Sequence, residues 1–194
     1  MAYYTGVCNS FNEMKSALIG CCSNNGWSHT TDSSGKDVIY KGNLYVMLDV
    51  TTGSFNSFGI TGRTGINEGS APGRVGLSDF YNYYDDPTPG PVLFPVRYFC
   101  FTYNDIDEVY FLINYLDMYQ WIAFGKSNIT LPGTGLWVAG TSGLNSNYKP
   151  AYIVSTADGN VGLVNVFVYA TSGALFWTSK VRDSNRKPGL NYWL

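Results

Sequence analysis

Residues 95–124 constrain this chain more than any other stretch. They read as three consecutive runs of strand length with apolar positions at every second residue. In residues 95–103, Val96, Tyr98 and Cys100 alternate with Arg97, Phe99 and Phe101. Asn104-Asp105-Ile106-Asp107 is a turn, residues 108–116 are a second strand, and residues 118–124 are a third. Together they predict an antiparallel meander. Such a sheet needs its apolar face covered by another element.

The cover is expected from a helix near the start. Ser10 and Glu13 form a capping box, in which each side chain satisfies an otherwise unpaired backbone donor. Phe11, Met14, Leu18 and Cys21 or Cys22 follow at spacings of three and four and make one apolar stripe. Asn25-Gly26 ends the helix, because both residues tolerate the left-handed conformation of a C-terminal cap. Trp27 is expected to fold back on the core, and Trp121 to lie mostly buried beside Trp27 or the helix.

Between helix and meander, residues 37–50 read as a strand with Leu44, Val46, Leu48 and Val50 on one face. Thr51-Thr52-Gly53-Ser54 is a turn, and residues 55–61 return as the second arm of a hairpin. In the C-terminal part, residues 151–155 and 161–170 are expected to form a hairpin around Asp158-Gly159, with a short strand at 174–179. The fold class is therefore α+β: an N-terminal helix on a mainly antiparallel β-sheet, with long Gly/Pro-rich loops and a β-rich C-terminal part. Residues 1–141 are assigned to the core domain and 142–194 to a hairpin and tail of the same domain.

Residues 62–94 differ from their surroundings. They are rich in Gly and Pro, yet carry Phe80, Tyr81, Tyr83, Tyr84 and Phe94. A long connection with that many aromatics suits neither a simple turn nor a solvated linker. Either it folds back on its own domain or it is an arm that docks on a neighbouring subunit, and docking is the expectation. Phe80, Tyr81, Tyr83 and Tyr84 would supply contact area, and Arg63, Arg74, Asp79, Asp85 and Asp86 charge pairs at the rim. Trp193, next to the last residue, is a second candidate contact.

Composition admits two readings, an assembling protein or a β-rich domain with Tyr on half-buried strand faces. Charged residues are 13% and aromatic residues 16%, with sixteen Tyr. Interfaces share that bias, being enriched in aromatics and depleted in Lys and Glu. The net charge of −2 and the absence of a basic run argue against nucleic-acid recognition. No run of 18 apolar residues is present to span a membrane as a helix. The opening residues have no export pattern, so Cys8, Cys21, Cys22 and Cys100 are expected to be reduced and buried.

No constellation carries chemistry. Gly125-Lys126-Ser127 resembles the end of a phosphate loop, but that loop requires Gly where Gln120 stands. Gly59, Gly62 and Gly65 have the wrong spacing and context for a dinucleotide fingerprint. His29 is the only histidine and is expected in a solvated loop. Asp85-Asp86 and Asp107-Glu108 are adjacent pairs, which on a strand point to opposite faces. No catalytic, cofactor-binding or metal-ligating residue is assigned.

One set of residues carries a resemblance. In order these are Asn25-Gly26-Trp27, Lys41-Gly42, Gly62-x-x-Gly65-Ile66, Ala71-Pro72-Gly73, Phe94-Pro95-Val96, Asp107-Glu108-Val109-Tyr110, Ile113-Asn114-Tyr115 and Pro132-Gly133-Thr134-Gly135. The most specific is Tyr119-Gln120-Trp121-Ile122-Ala123-Phe124-Gly125-Lys126-Ser127. Over residues 9–141 the chain resembles virion structural proteins of tailed bacteriophages and prophages. The resemblance implies a non-enzymatic particle component, made in the host cytoplasm and resident in the virion. A helix-plus-sheet subunit is similar in layout to tail terminator, collar and head–tail joining proteins. Its expected partners are copies of itself in a ring and other virion proteins. The alternatives are a baseplate, fibre or decoration protein, or a carbohydrate- or receptor-binding β module using Tyr81, Tyr83, Tyr84 and Trp137.

Overall fold

A computed structural model describes residues 1–53, 56–67, 75–78, 80–81, 89–90, 92–115, 118–126, 136–140, 142–143, 167–172 and 175–180. The chain opens with β1 (Ala2–Cys8), a strand the sequence analysis did not anticipate, and then α1 (Phe11–Ser23). There follow β2 (Ser28–Thr31), β3 (Asp37–Lys41), β4 (Leu44–Thr51), β5 (Ser57–Arg63) and β6 (Val75–Ser78). Two very short strands come next, β7 (Phe80–Tyr81) and β8 (Pro89–Gly90). The expected meander is β9 (Val96–Tyr103), β10 (Glu108–Tyr115) and β11 (Met118–Lys126). Last are β12 (Leu136–Gly140), β13 (Ser142–Gly143), β14 (Phe167–Ser172) and β15 (Leu175–Lys180).

These strands form two antiparallel sheets and a small ribbon of β7 and β8. The seven-stranded sheet has the order β1-β9-β10-β11-β12-β14-β15. The six-stranded sheet has the order β13-β6-β5-β4-β3-β2. Phe58 of β5 and Phe111 of β10 meet edge to face with ring centroids 6.4 Å apart, joining the inner faces of the two sheets. The helix contacts β1 and β9 of the first sheet and β2, β4 and β5 of the second. It is thus wedged between two layers, where the sequence analysis foresaw one sheet beneath it. Both sheets present apolar faces, so each covers part of the other.

The local chemistry of α1 follows the capping-box expectation with one shift. Ser10 Oγ accepts from the Glu13 backbone N–H at 3.1 Å. Glu13 reaches back one residue further, accepting from the backbone N–H of Asn9 at 2.8 Å and from its side chain at 2.9 Å. Phe11, Met14, Leu18, Cys21 and Cys22 are all buried. Gly26 takes the positive φ of 79° that turns the chain back, and Trp27 enters the core.

Three other expectations are corrected. Residues 37–50 are two strands, because Gly42 adopts φ 58° and turns β3 into β4. Alternation alone does not reveal a tight reversal inside an apolar run. His29 is on β2, paired with Ile39 of β3, and not in a loop. Part of residues 62–94 is built into the fold, since Val75–Ser78 pairs with β5 and Leu77 is fully buried. The expected turn at Asp158-Gly159 and residues 151–166 lie outside the described residues, whereas β15 matches the short strand expected at 174–179.

Candidate assembly surface

The first sheet has an inner face and an outer face, and the cross-strand register states what each carries. Tyr4, Cys100, Phe111 and Ile122 form one inner row, and Thr102, Val109 and Phe124 another. On the outer face, Tyr3 lies beside Phe101, then Tyr110, then Ala123. The next row is Thr5, Phe99, Leu112 and Trp121. The third is Val7, Arg97 and Asn114.

Most of this outer face is aromatic or aliphatic. Tyr3 is 49% exposed and Val7 57% exposed. Phe99, Phe101, Tyr103, Tyr110, Leu112 and Trp121 are half-buried. Tyr3 and Phe101 pack at a centroid distance of 5.0 Å, and Tyr103 and Tyr110 meet edge to face at 5.9 Å. Cross-strand aromatic pairs stiffen a sheet. Tyr110 donates its hydroxyl to Glu108 Oε2 at 2.9 Å. Burial, and then that bond, push its phenol above the ordinary value.

The edge of this surface is β1. Its sequence, Ala-Tyr-Tyr-Thr-Gly-Val-Cys, holds no charge and no proline. Among the described residues it pairs on one side only, with β9. Gly6 is required there, since a Cβ would fall 2.7 Å from Cε1 of Tyr98, whose ring crosses that position. The run of β-branched and aromatic residues ahead of the capping box was the available signal for this strand.

The residues singled out from the sequence fall elsewhere. Arg63 does not supply a rim charge. Its guanidinium donates to Asp32 Oδ2 at 2.7 Å and to the Ile66 carbonyl at 2.8 Å, and its side chain is only 14% exposed. An internal carboxylate has taken the charge. Phe80 and Tyr81 form β7, paired with β8. Arg74, Tyr83, Tyr84, Asp85, Asp86 and Trp193 lie outside the described residues, as does Asp79. Trp121 is on the opposite face of β11 from Phe124, and it is Phe124 that meets Trp27.

The remaining polar groups serve the fold. Asp32 accepts from Ser34 Oγ at 2.7 Å, from the Ser34 N–H at 2.8 Å and from the Lys36 N–H at 2.9 Å. Those bonds, with Arg63, hold its carboxyl well below the usual carboxylate range. Asp37 bridges Lys15 of the helix at 2.6 Å and His29 at 2.7 Å. Burial opposes ionisation of Asp37, but these two partners outweigh it and keep its carboxyl below the ordinary value. All four cysteines are free and buried. Burial, Glu13 and Cys21 push the Cys8 thiol up to about 11. The adjacent Cys21 sulfhydryl and burial raise Cys100. Among the described residues, no group of three His, Cys, Asp or Glu side chains is placed to hold a metal ion. No described helix is long and apolar enough to cross a membrane.

Compared with models of protein families and with curated proteins, the chain matches none.

Proposed function

We propose that this chain is a structural subunit of a tailed-bacteriophage virion, a ring protein of the neck or tail end. It works by binding copies of itself and other virion proteins, not by catalysis. The observation that carries this reading is the outer face of the seven-stranded sheet. Tyr3, Phe99, Phe101, Tyr103, Tyr110, Leu112 and Trp121 stand there in register. Such a face has the composition of a protein interface, and contiguous apolar surface of this kind marks interaction sites. The resemblance over residues 9–141 supports the same reading and names the kind of particle.

The test is the particle itself. Purified virions are analysed by mass spectrometry for peptides of this chain, and its position is fixed by labelling an added tag. The expected result is a small, fixed copy number at the head–tail junction or tail end. Absence from purified particles overturns the reading. A copy number scaling with the capsid surface overturns the ring position and favours a decoration protein.

A further inference from the structure

We propose that β1 is a self-pairing edge: two copies of this chain join by antiparallel β1–β1 pairing about a two-fold axis at Thr5. The inference rests on the reading of the chain as an assembly subunit and specifies the partner and the surface.

β1 is the first strand of the seven-stranded sheet, and β9 occupies one side of it. Among the described residues, no strand pairs with the other side. Its outward backbone N–H and C=O groups form a template for a further strand. Natural edges are usually blunted by charge, proline, a bulge or brevity. β1 has none of these devices: seven residues, uncharged, without proline, in unbroken register with β9 from Ala2 to Cys8. The outermost strand of the other sheet, β2, is different. It has four residues, Ser-His-Thr-Thr, and His29 Nε2 is hydrogen-bonded to Asp37 Oδ1. Of these two edges, β1 is the apolar one, and no described strand covers it.

The occupant is a second copy because the strand is complementary to itself. With the dyad at Thr5, Tyr3 lies opposite the partner's Val7, and Tyr4 opposite the partner's Gly6. Ala2 lies opposite the partner's Cys8, so the whole strand is used. Opposed residues share a face in an antiparallel pair. Tyr3 and Val7 are among the most exposed large apolar residues described, at 49% and 57%. Each would be covered by the other, and no like charges meet, because the strand has no charge. The two sheets would become one, with the Tyr3–Phe101 row of one copy running into the Val7–Arg97 row of the other.

The strand spans about 24 Å at the usual rise per residue. An edge of that length gives a small interface, so the free dimer is expected in the micromolar range and strengthened inside a larger assembly.

The experiment uses the full chain in sedimentation equilibrium from about 1 to about 300 μM. Wild type is expected to show a reversible monomer–dimer equilibrium. The double variant Tyr3→Lys, Val7→Lys is expected to be monomeric and folded, with Tm lowered only by loss of the Tyr3–Phe101 contact. The variant Tyr3→Glu, Val7→Glu should behave likewise, and mixing the two should restore a 1:1 dimer. Register is tested by oxidising single-cysteine additions with copper phenanthroline. Thr5→Cys lies on the axis and is expected to cross-link to itself, whereas Tyr3→Cys cross-links only when mixed with Val7→Cys. Directly opposed positions have the Cα separation a disulfide needs. A wild type that stays monomeric throughout overturns the inference, as does an unchanged mass for the Lys variant or equal self-cross-linking at Thr5 and Tyr3. Particle composition is separate: virions that contain a chain monomeric in solution leave the assembly reading standing and remove this one.

Discussion

Trp27 and Phe124 meet edge to face, with ring centroids 5.3 Å apart and planes at 85°. Trp27 directly follows Gly26, whose positive φ turns the chain out of α1, and Phe124 lies on the inner face of β11. The contact ties the end of the helix to the centre of the first sheet. Phe124→Ala should therefore cost about 3–5 kcal/mol, as for other buried aromatics. Trp121→Ala, on the outer face of the same strand, should cost clearly less and leave the protein soluble. Urea unfolding of both variants checks the pair, and equal losses would mean that the two faces of β11 are not distinct.

Gly125 is held by packing. A Cβ there would fall 2.6 Å from Glu108 Cγ and 3.0 Å from the Asp107 carbonyl oxygen. The absence of a side chain lets Glu108 lie across β11 and accept from Tyr110. Gly125→Ala is expected to destabilise by about 1–3 kcal/mol, the usual cost of overpacking. A change of stability within experimental error would show that Glu108 moves aside freely.

Asp32, held ionised by Ser34, the Lys36 N–H and Arg63, sets an acid limit. The folded-state pKa of Asp32 is depressed below its unfolded value, so the ionised carboxylate stabilises the fold above about pH 4. That contribution is lost as pH falls through the folded value. Asp32→Asn should lower Tm at neutral pH and flatten the dependence of Tm on pH below about 4. Parallel pH profiles for wild type and variant would remove Asp32 as a source of acid sensitivity.

The thiols should be silent in the native state. All four are buried, which keeps reagent away; burial pushes Cys8 up to about 11 and raises Cys22, whereas a hydrogen bond from Cys100 lowers Cys21, so the slow reaction rests on burial. Ellman titration of the native protein is expected to show slow, sub-stoichiometric labelling, and denaturant should release four thiols. A rapidly reacting native thiol would place one of these side chains at the surface.

The meander was legible because its signal is local. Alternation over residues 95–124 is the footprint of strands with one face covered, and β9, β10 and β11 follow it. The helix was legible for the same reason: Ser10, Glu13 and the stripe from Phe11 to Cys22 lie within two or three turns of one another. β1 was not, because its pairing partner lies more than 80 residues away, as in Thr5 with Phe99. The strand β6 was hidden by the Gly and Pro around it; β5 and β13, both across long connections, make Val75–Ser78 a strand.

The candidate surface divides in the same way. Low charge and abundant aromatics are properties of the chain, and they suit an interface and half-buried strand faces alike. Where those aromatics stand was decided by register. Tyr3, Phe101 and Tyr110 are far apart in sequence and become one row only when β1, β9 and β10 pair. Arg63 shows the converse, since a charge suited to a rim was claimed by Asp32, 31 residues earlier. Sequence alone determined which residues favour helix, strand or turn, because those preferences act over a few bonds. Tertiary structure decided which face each side chain occupies and which partner it meets, because pairing and burial act between residues that only folding brings together.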